Sequence, residues 1–207
     1  MRNLWQKLAS PILWKRLLYT VMISIVLFHV LIILSYFFLP EGLLKNKNPL
    51  QDWALSDNTL LLTLQIFFYN LLSILIIGIG SLFANKKDTE SNYISTGYVA
   101  FFTLISINAV VLGTWSFSLA GEAVPLLGRI GGIYNLSIRS GIWEMAGQLL
   151  ITCALAHVAI VRTSGKKTEV RKFRDIRLTA TEKLLLVIGF LLMLIGAVVE
   201  ALAIRLL

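Results

Sequence analysis

Two carboxylates stand where a carboxylate is costly. Glu144 and Glu200 each fall inside a long apolar run, and an ionisable group within a bilayer is normally turned toward a bundle interior or a water-filled cavity. Glu144 lies one helical turn from Gln148, and Thr152 continues that stripe at i+4 spacing. Glu200 shares a helical face with Gly189, Met193, Gly196 and Ala203, and small residues on such a face let a second helix approach closely. Gln65, followed by Tyr69 and Ser73 at i+4, adds a third polar stripe. His29, Asn70 and Asn108 fall near the middle of their own apolar runs. Together these side chains read as a polar seam inside a helix bundle. Three kinds of chemistry are open to such a seam. It can act as structural glue, with interhelical hydrogen bonds of about 1 kcal/mol each. It can be a pathway or ligand site, or it can be an interface with a partner protein.

Other chemistries find less support. The chain has no HExxH, no Walker phosphate loop and no GxSxG. Ser137 and Ser140 have no His–Asp partners nearby in sequence, and Gly131–Gly132 is a turn or kink signal. A metal site would require two or three of His29, His157, Glu144 and Glu200 to converge, but the histidines lie at depths different from the acids. His157 lies near the end of its apolar run and is expected to do no more than titrate there. Cys153 is the only cysteine, so an intrachain disulfide and a thiolate cluster are both excluded, and it reads as a packing residue. The expectation is no catalytic site, no metal and no cofactor.

The elements that must carry the seam follow from composition. Of the 207 residues, 57% are hydrophobic and only 14% charged, with a mean hydropathy of +0.79. A soluble domain carries about 25% charged residues, so this chain lacks the charge to coat a water-exposed surface. A bilayer crossing takes about 20 residues, and the apolar runs predict spans at 17–39, 60–84, 98–120, 141–161 and 184–207. The fold class expected is therefore an all-α integral membrane protein, a bundle of five transmembrane helices. Residues 17–207 form one transmembrane domain, and 1–16 form a cytoplasmic, interfacial N-terminal segment that Pro11 separates from the first span. Residues 121–140, with four glycines, a proline and two arginines, are too broken for a sixth span and read as either a re-entrant segment or an interfacial helix. The first apolar run is too long for a signal peptide and ends in Tyr36, Phe37 and Phe38 without a small-x-small cleavage site, so it reads as a retained anchor.

Charge sets the expected orientation. The net charge of +8 comes from basic residues placed between the apolar runs, a pattern of membrane topology rather than of nucleic-acid binding. With five spans and the N-terminus inside, fourteen of the Lys and Arg fall on the inner side and five on the outer. The C-terminus is then outside. Trp5 and Trp14 fall at the inner interface, and Trp53, Trp115 and Trp143 near the outer one. In this arrangement Glu144 lies about 5 Å and Glu200 about 10 Å from the outer ends of their spans. The basic loop from Arg162 to Lys183 reads as a solvated connector that fixes topology, or more sharply as a surface for anionic lipid headgroups or an acidic partner.

Three segments carry a resemblance. LLLTLQIFFYNLLSILIIGIGSLFA has an Asn on an aromatic-rich run ahead of a glycine-rich end, at Asn70, Gly78 and Gly80. SGIWEMAGQLLITCALA contains a Gly-x-x-Glu, at Gly141 and Glu144, and IGAVVEALAI places Glu200 near the end of the last helix. In these segments the chain resembles the stage II sporulation protein M family of small multi-spanning membrane proteins. It departs from the family pattern at Ser140, where many members have His, and at Leu136, where many have Gly after the Asn. The resemblance implies a five-helix membrane module that works through protein contacts. The function expected first is a membrane scaffold or accessory subunit, and the alternative is a permease-like subunit or small transporter using the seam around Glu144 and Glu200. The expected partners are the lipid bilayer, a membrane or envelope protein and a second copy of the chain, with no nucleic acid. The expected location is the prokaryotic cytoplasmic membrane. A dry, packed seam favours the scaffold, whereas a cavity open to water around the carboxylates favours transport.

Overall fold

The computed structural model describes residues 2–45, 47, 56–87, 90–116, 125–136 and 141–205. Seven α-helices appear among them. The first, α1 (Arg2–Leu8), stops before Ser10–Pro11, where proline has no N–H to continue a helix. The long helices are α2 (Leu13–Phe38), α3 (Thr59–Ser81) and α7 (Ala180–Arg205). Between them lie α4 (Gly97–Gly113), α5 (Leu126–Leu136) and α6 (Ile142–Ala154). Local chemistry sets several boundaries. Asn58 caps α3, its Oδ1 accepting from the backbone N–H of Leu60 and Leu61. Thr179 and Glu182 form a reciprocal capping box at the start of α7. Glu182 N donates to Thr179 Oγ1 at 3.2 Å, and Thr179 N donates to Glu182 Oε2 at 2.9 Å.

Three helices, α2, α3 and α7, are long and apolar enough to cross a membrane, while α4 and α6 are shorter apolar helices. These last two end sooner than the apolar runs suggested: the run 98–120 is helical to Gly113, and the run 141–161 to Ala154. The run 60–84 likewise leaves the helix at Ser81. The reason for two of these early endings is a small sheet, which an all-α reading did not include. Strands β1 (Phe83–Lys86), β2 (Ile94–Ser95), β3 (Val161–Ser164) and β4 (Lys167–Val170) form it, in the order β2-β1-β3-β4. The ends of α3 and α6 lie side by side, so the two exit segments run parallel, Phe83 opposite Val161 and Lys86 opposite Ser164. Backbone groups released by the two helices thus find each other, as buried backbone must. Hairpins close both flanks. The one between β3 and β4 turns on Gly165, whose φ of 54° suits a residue without a Cβ.

The helices alternate in direction about this sheet. The starts of α2, α4 and α7 and the ends of α3 and α6 all lie at the sheet end, tied together by contacts described below. Helix α6 packs on α7, α2 on α4, and α3 on both α4 and α7. The α6–α7 crossing is backbone-close. A Cβ on Gly147 would stand 2.6 Å from the Gly189 carbonyl oxygen, and one on Gly189 would stand 2.9 Å from that of Gly147. Small residues on the Glu200 face therefore meet a glycine that the sequence reading had not singled out. The core runs through Ile32, Ile77, Phe101, Ala109, Ile151 and Met193. The helix faces turned away from it are apolar as well, as at Val26, Phe68, Leu75 and Val187.

The segment 121–140 contains α5. Its eleven residues rise about 16 Å, too short to span, and it is held at the far end of the bundle by Arg129. That guanidinium is buried, donates to the Gly113 carbonyl at 2.5 Å and pairs with Glu41 at 3.3 Å. It also stacks on the rings of Tyr36 and Trp115. Trp115 sits in the left-handed region, φ 53°, where α4 ends. Trp53, Ser137 and Ser140 lie outside the described residues.

Candidate ligand cavity in the helix bundle

Helix α6 turns one polar face toward α3. Thr152 and Gln148 sit on it, 1% exposed each, with Glu144 a further turn along. Gln148 Nε2 donates to Ser73 Oγ on α3 at 2.9 Å and to Glu144 Oε1 at 2.8 Å. The Ser73 hydroxyl donates onward to the Asn70 carbonyl at 2.5 Å, and Thr152 Oγ1 donates to the Gln148 carbonyl at 2.7 Å. Both amide hydrogens of Gln148 are thus engaged. Its carbonyl oxygen Oε1 is buried with no hydrogen-bond partner among the described residues, a costly state for a polar atom.

Beside this chain of bonds lies a half-open cavity of about 630 Å³ between α3, α4 and α6, with Leu72, Ile76 and Ile107 of its wall exposed on the bundle surface. Glu144, Gln148, Asn70 and Ser73 line one side, and Asn108 on α4 lines another. Leu72, Ile76, Leu104 and Ile107 supply apolar wall, and Leu44, Lys47 and Ser116 stand where the helices end. The volume falls within the range of small-molecule sites, which are apolar with a few placed polar groups.

Four of the seven seam residues from the sequence therefore meet at this cavity: Glu144, Gln148, Asn70 and Asn108. Glu200 lies on α7, the helix packed against α6, and is not on the cavity lining. The remaining two are occupied elsewhere. Gln65 Oε1 accepts from the Ser56 backbone N–H at 3.1 Å, and Arg205 donates to the Ser56 carbonyl, so this glutamine ties the entry to α3 toward α7. His29 Nδ1 lies 2.8 Å from the carbonyl of Ile25 in its own helix, with its ring edge-on to Phe28.

A second polar cluster, not anticipated as a unit, lies at the sheet end. Arg16 at the start of α2 is fully buried and pairs with Glu182 at the start of α7, Nη2 to Oε1 at 2.5 Å. Arg16 Nη1 donates to the Ser10 carbonyl, and His157 Nε2 contacts that same oxygen at 3.2 Å. Cys153 Sγ lies 3.3 Å from Thr20 Oγ1, and Tyr98 OH donates to the Leu8 carbonyl at 3.0 Å. His157 lies beyond the last turn of α6. Burial holds its imidazole below the ordinary value of 6.5, and the Arg16 charge adds to that. This cluster binds the starts of α2, α4 and α7 to the end of α6. The Thr-x-x-Glu signature at Thr179–Glu182 was a legible trace of one member. Nothing in the sequence marked Arg16 as buried rather than interfacial.

Among the described residues no three of His, Cys, Asp and Glu are grouped so as to hold a metal ion. Comparison of the chain with protein-family models, curated proteins and solved structures finds no match.

Proposed function

We propose that the chain crosses the bilayer five times, on α2, α3, α4, α6 and α7, and works as a permease-like or ligand-holding subunit through the cavity at Glu144 and Gln148. The observation that carries this reading is the cavity itself. A seam serving only as glue closes on itself, whereas here Glu144, Asn70 and Asn108 border open volume. The crossings are supported by the alternation of helix directions about the sheet. Orientation is supported by charge: Lys86, Arg162, Lys166, Lys167 and Arg171 cluster at the sheet end together with α1, which Gln6 ties to Asn92. By the positive-inside rule that end, with the N-terminus, faces the cytoplasm of a prokaryotic cell, and the C-terminus faces out.

Accessibility tests the reading. A cysteine at Asn108, in a Cys153→Ser background, should react with a small water-soluble methanethiosulfonate in sealed vesicles. A cysteine at Val198, on an exposed apolar face, should react at least tenfold more slowly. Equal, slow reaction at both sites would show a dry seam and reject the cavity reading.

The scaffold or accessory-subunit reading stands second. Its support is the resemblance to the stage II sporulation protein M family and the outward face of α5, where Leu127 is 83% exposed beside Gly128 and Gly131. A membrane or envelope partner, or a second copy of the chain, would pack there. A pulldown in mild detergent, comparing wild type with Glu144→Gln and Glu200→Gln, would recover a stoichiometric partner on this reading.

A further inference from the structure

A second cavity, separate from the one at Glu144, opens at the sheet end. It is half-open, holds about 310 Å³, and lies where the turn before β2 meets the segment between α6 and β3. Ala84, Ala156 and Ala159 leave the room, and Asn92, His157 and Arg162 supply the polar wall. Arg162 is half-buried, with Cζ 5.2 Å from the centre of the Tyr93 ring. Its Nε is closed off, but Nη1 and Nη2 keep solvent-accessible surface and make no hydrogen bond among the described residues. The Asn92 side-chain amide is likewise uncommitted among the described residues, because its ties to Gln6 run through the backbone. The Ser91 hydroxyl donates to Gln6, and His157 Nε2 is held on the Ser10 carbonyl.

Positive charge gathers here without a counter-charge. Lys86 Nζ lies 4.8 Å from the centre of the same Tyr93 ring. Arg171 bonds the carbonyls of His157, Ala159 and Asp175, none of them charged. Among the described residues neither Lys86, Arg162 nor Arg171 forms an ion pair. Glu169, opposite Arg162 in the register of β3 and β4, is exposed and forms none with it. Burial, and next the Arg171 charge, hold the Arg162 guanidinium below its ordinary value, and a bound anion offsets both.

We infer that this cavity binds a phosphate group, with Arg162 Nη1 and Nη2 donating to two of its oxygens and the Asn92 amide to a third. A guanidinium fork matches the spacing of two phosphate oxygens, and Lys86 and Arg171 add positive charge around them. Two sources share this chemistry. One is the headgroup phosphate of an anionic lipid, which on the proposed orientation reaches the depth where α6 leaves the bundle. The other is free phosphate from the cytoplasm.

The test uses the purified, delipidated full chain in dodecyl maltoside micelles, which carry no phosphate, with Tm followed by tryptophan fluorescence. Inorganic phosphate or phosphatidylglycerol should raise Tm saturably, while acetate and oleate at matched charge should not. General stabilisation by phosphate as a salt does not saturate and is indifferent to the lining. Arg162→Gln should weaken the response at least tenfold. Asn92→Asp keeps the backbone bonds to Gln6 while adding a negative charge, and should abolish it. Arg174→Gln, at an exposed cation off the lining, should leave it unchanged. The comparison of anions on wild type stands even where a variant fails to fold. A response to phosphatidylglycerol to which phosphate adds nothing identifies the lipid headgroup, and a phosphate response that persists beside the lipid identifies the free anion. Acetate acting as well as phosphate, oleate as well as phosphatidylglycerol, no response to either phosphate source, or a full response in Asn92→Asp overturns the assignment. None of these outcomes bears on the Glu144 cavity, which the Asn108→Cys labelling tests.

Discussion

At the scale of single residues, burial and not residue type decides what each polar group does. Asn70 and Asn108 are the same residue in similar apolar runs, yet one is buried at 5% exposure and the other is exposed on the cavity wall. Gln148 has both amide hydrogens bound to protein, so its removal costs more than its area suggests. Gln148→Leu strands Ser73 and Glu144 and should destabilise the bundle by about 1–3 kcal/mol, read by unfolding in mixed micelles. Asn108→Leu at the open wall should change stability by less than about 0.5 kcal/mol. His157 yields a pH prediction with a definite sign. Its folded value lies below 6.5, so the folded state binds fewer protons than the unfolded state as pH falls past 6.5. Stability is full above 6.5 and is lost as pH drops toward the folded value. A His157→Gln variant should show a flatter Tm profile than wild type between pH 7.5 and 5. A parallel profile would remove His157 from the sheet-end cluster.

At the scale of elements, the helices were legible because about 20 apolar residues have few other places to go. Their ends were less so. Hydropathy continues through Phe83–Ala84 and through Val158–Val161, but the backbone there is strand, because two neighbouring exit segments pair with each other. Periodicity within one segment cannot reveal a pairing across 78 positions. Crossing geometry was partly legible: the small face of α7 was visible, whereas its partner Gly147 was not, since a lone glycine in an apolar run has many uses. Gly147→Ala places a methyl against the Gly189 carbonyl and the Met193 side chain. It should cost about 1–3 kcal/mol by overpacking, while Gly131→Ala on α5, where a Cβ meets nothing within 4 Å, should leave Tm unchanged or raise it.

At the scale of the whole molecule, the sheet-end cluster joins segments far apart in the chain. Arg16 and Glu182 are 166 positions apart and both nearly closed to solvent. Breaking one side leaves the other charge buried, so Arg16→Met alone should destabilise by about 3–5 kcal/mol. The double variant Arg16→Met/Glu182→Leu should recover much of that loss, because neither charge is left to desolvate. An additive double-variant loss, measured by thermal unfolding, would show that the ion pair is not the link. What the sequence by itself determined is the environment: apolar runs long enough to cross a bilayer, few charges to face water, and a basic bias between the runs. Those are sums over many residues, and each rests on transfer from water, which depends on side-chain type alone. What only the tertiary structure decided is which polar groups meet. Glu144, Gln148, Asn70 and Asn108 share a cavity while Gln65 and His29 bond near their own helices, because the rotation and depth of each helix are set by packing against the others, and no single segment encodes that.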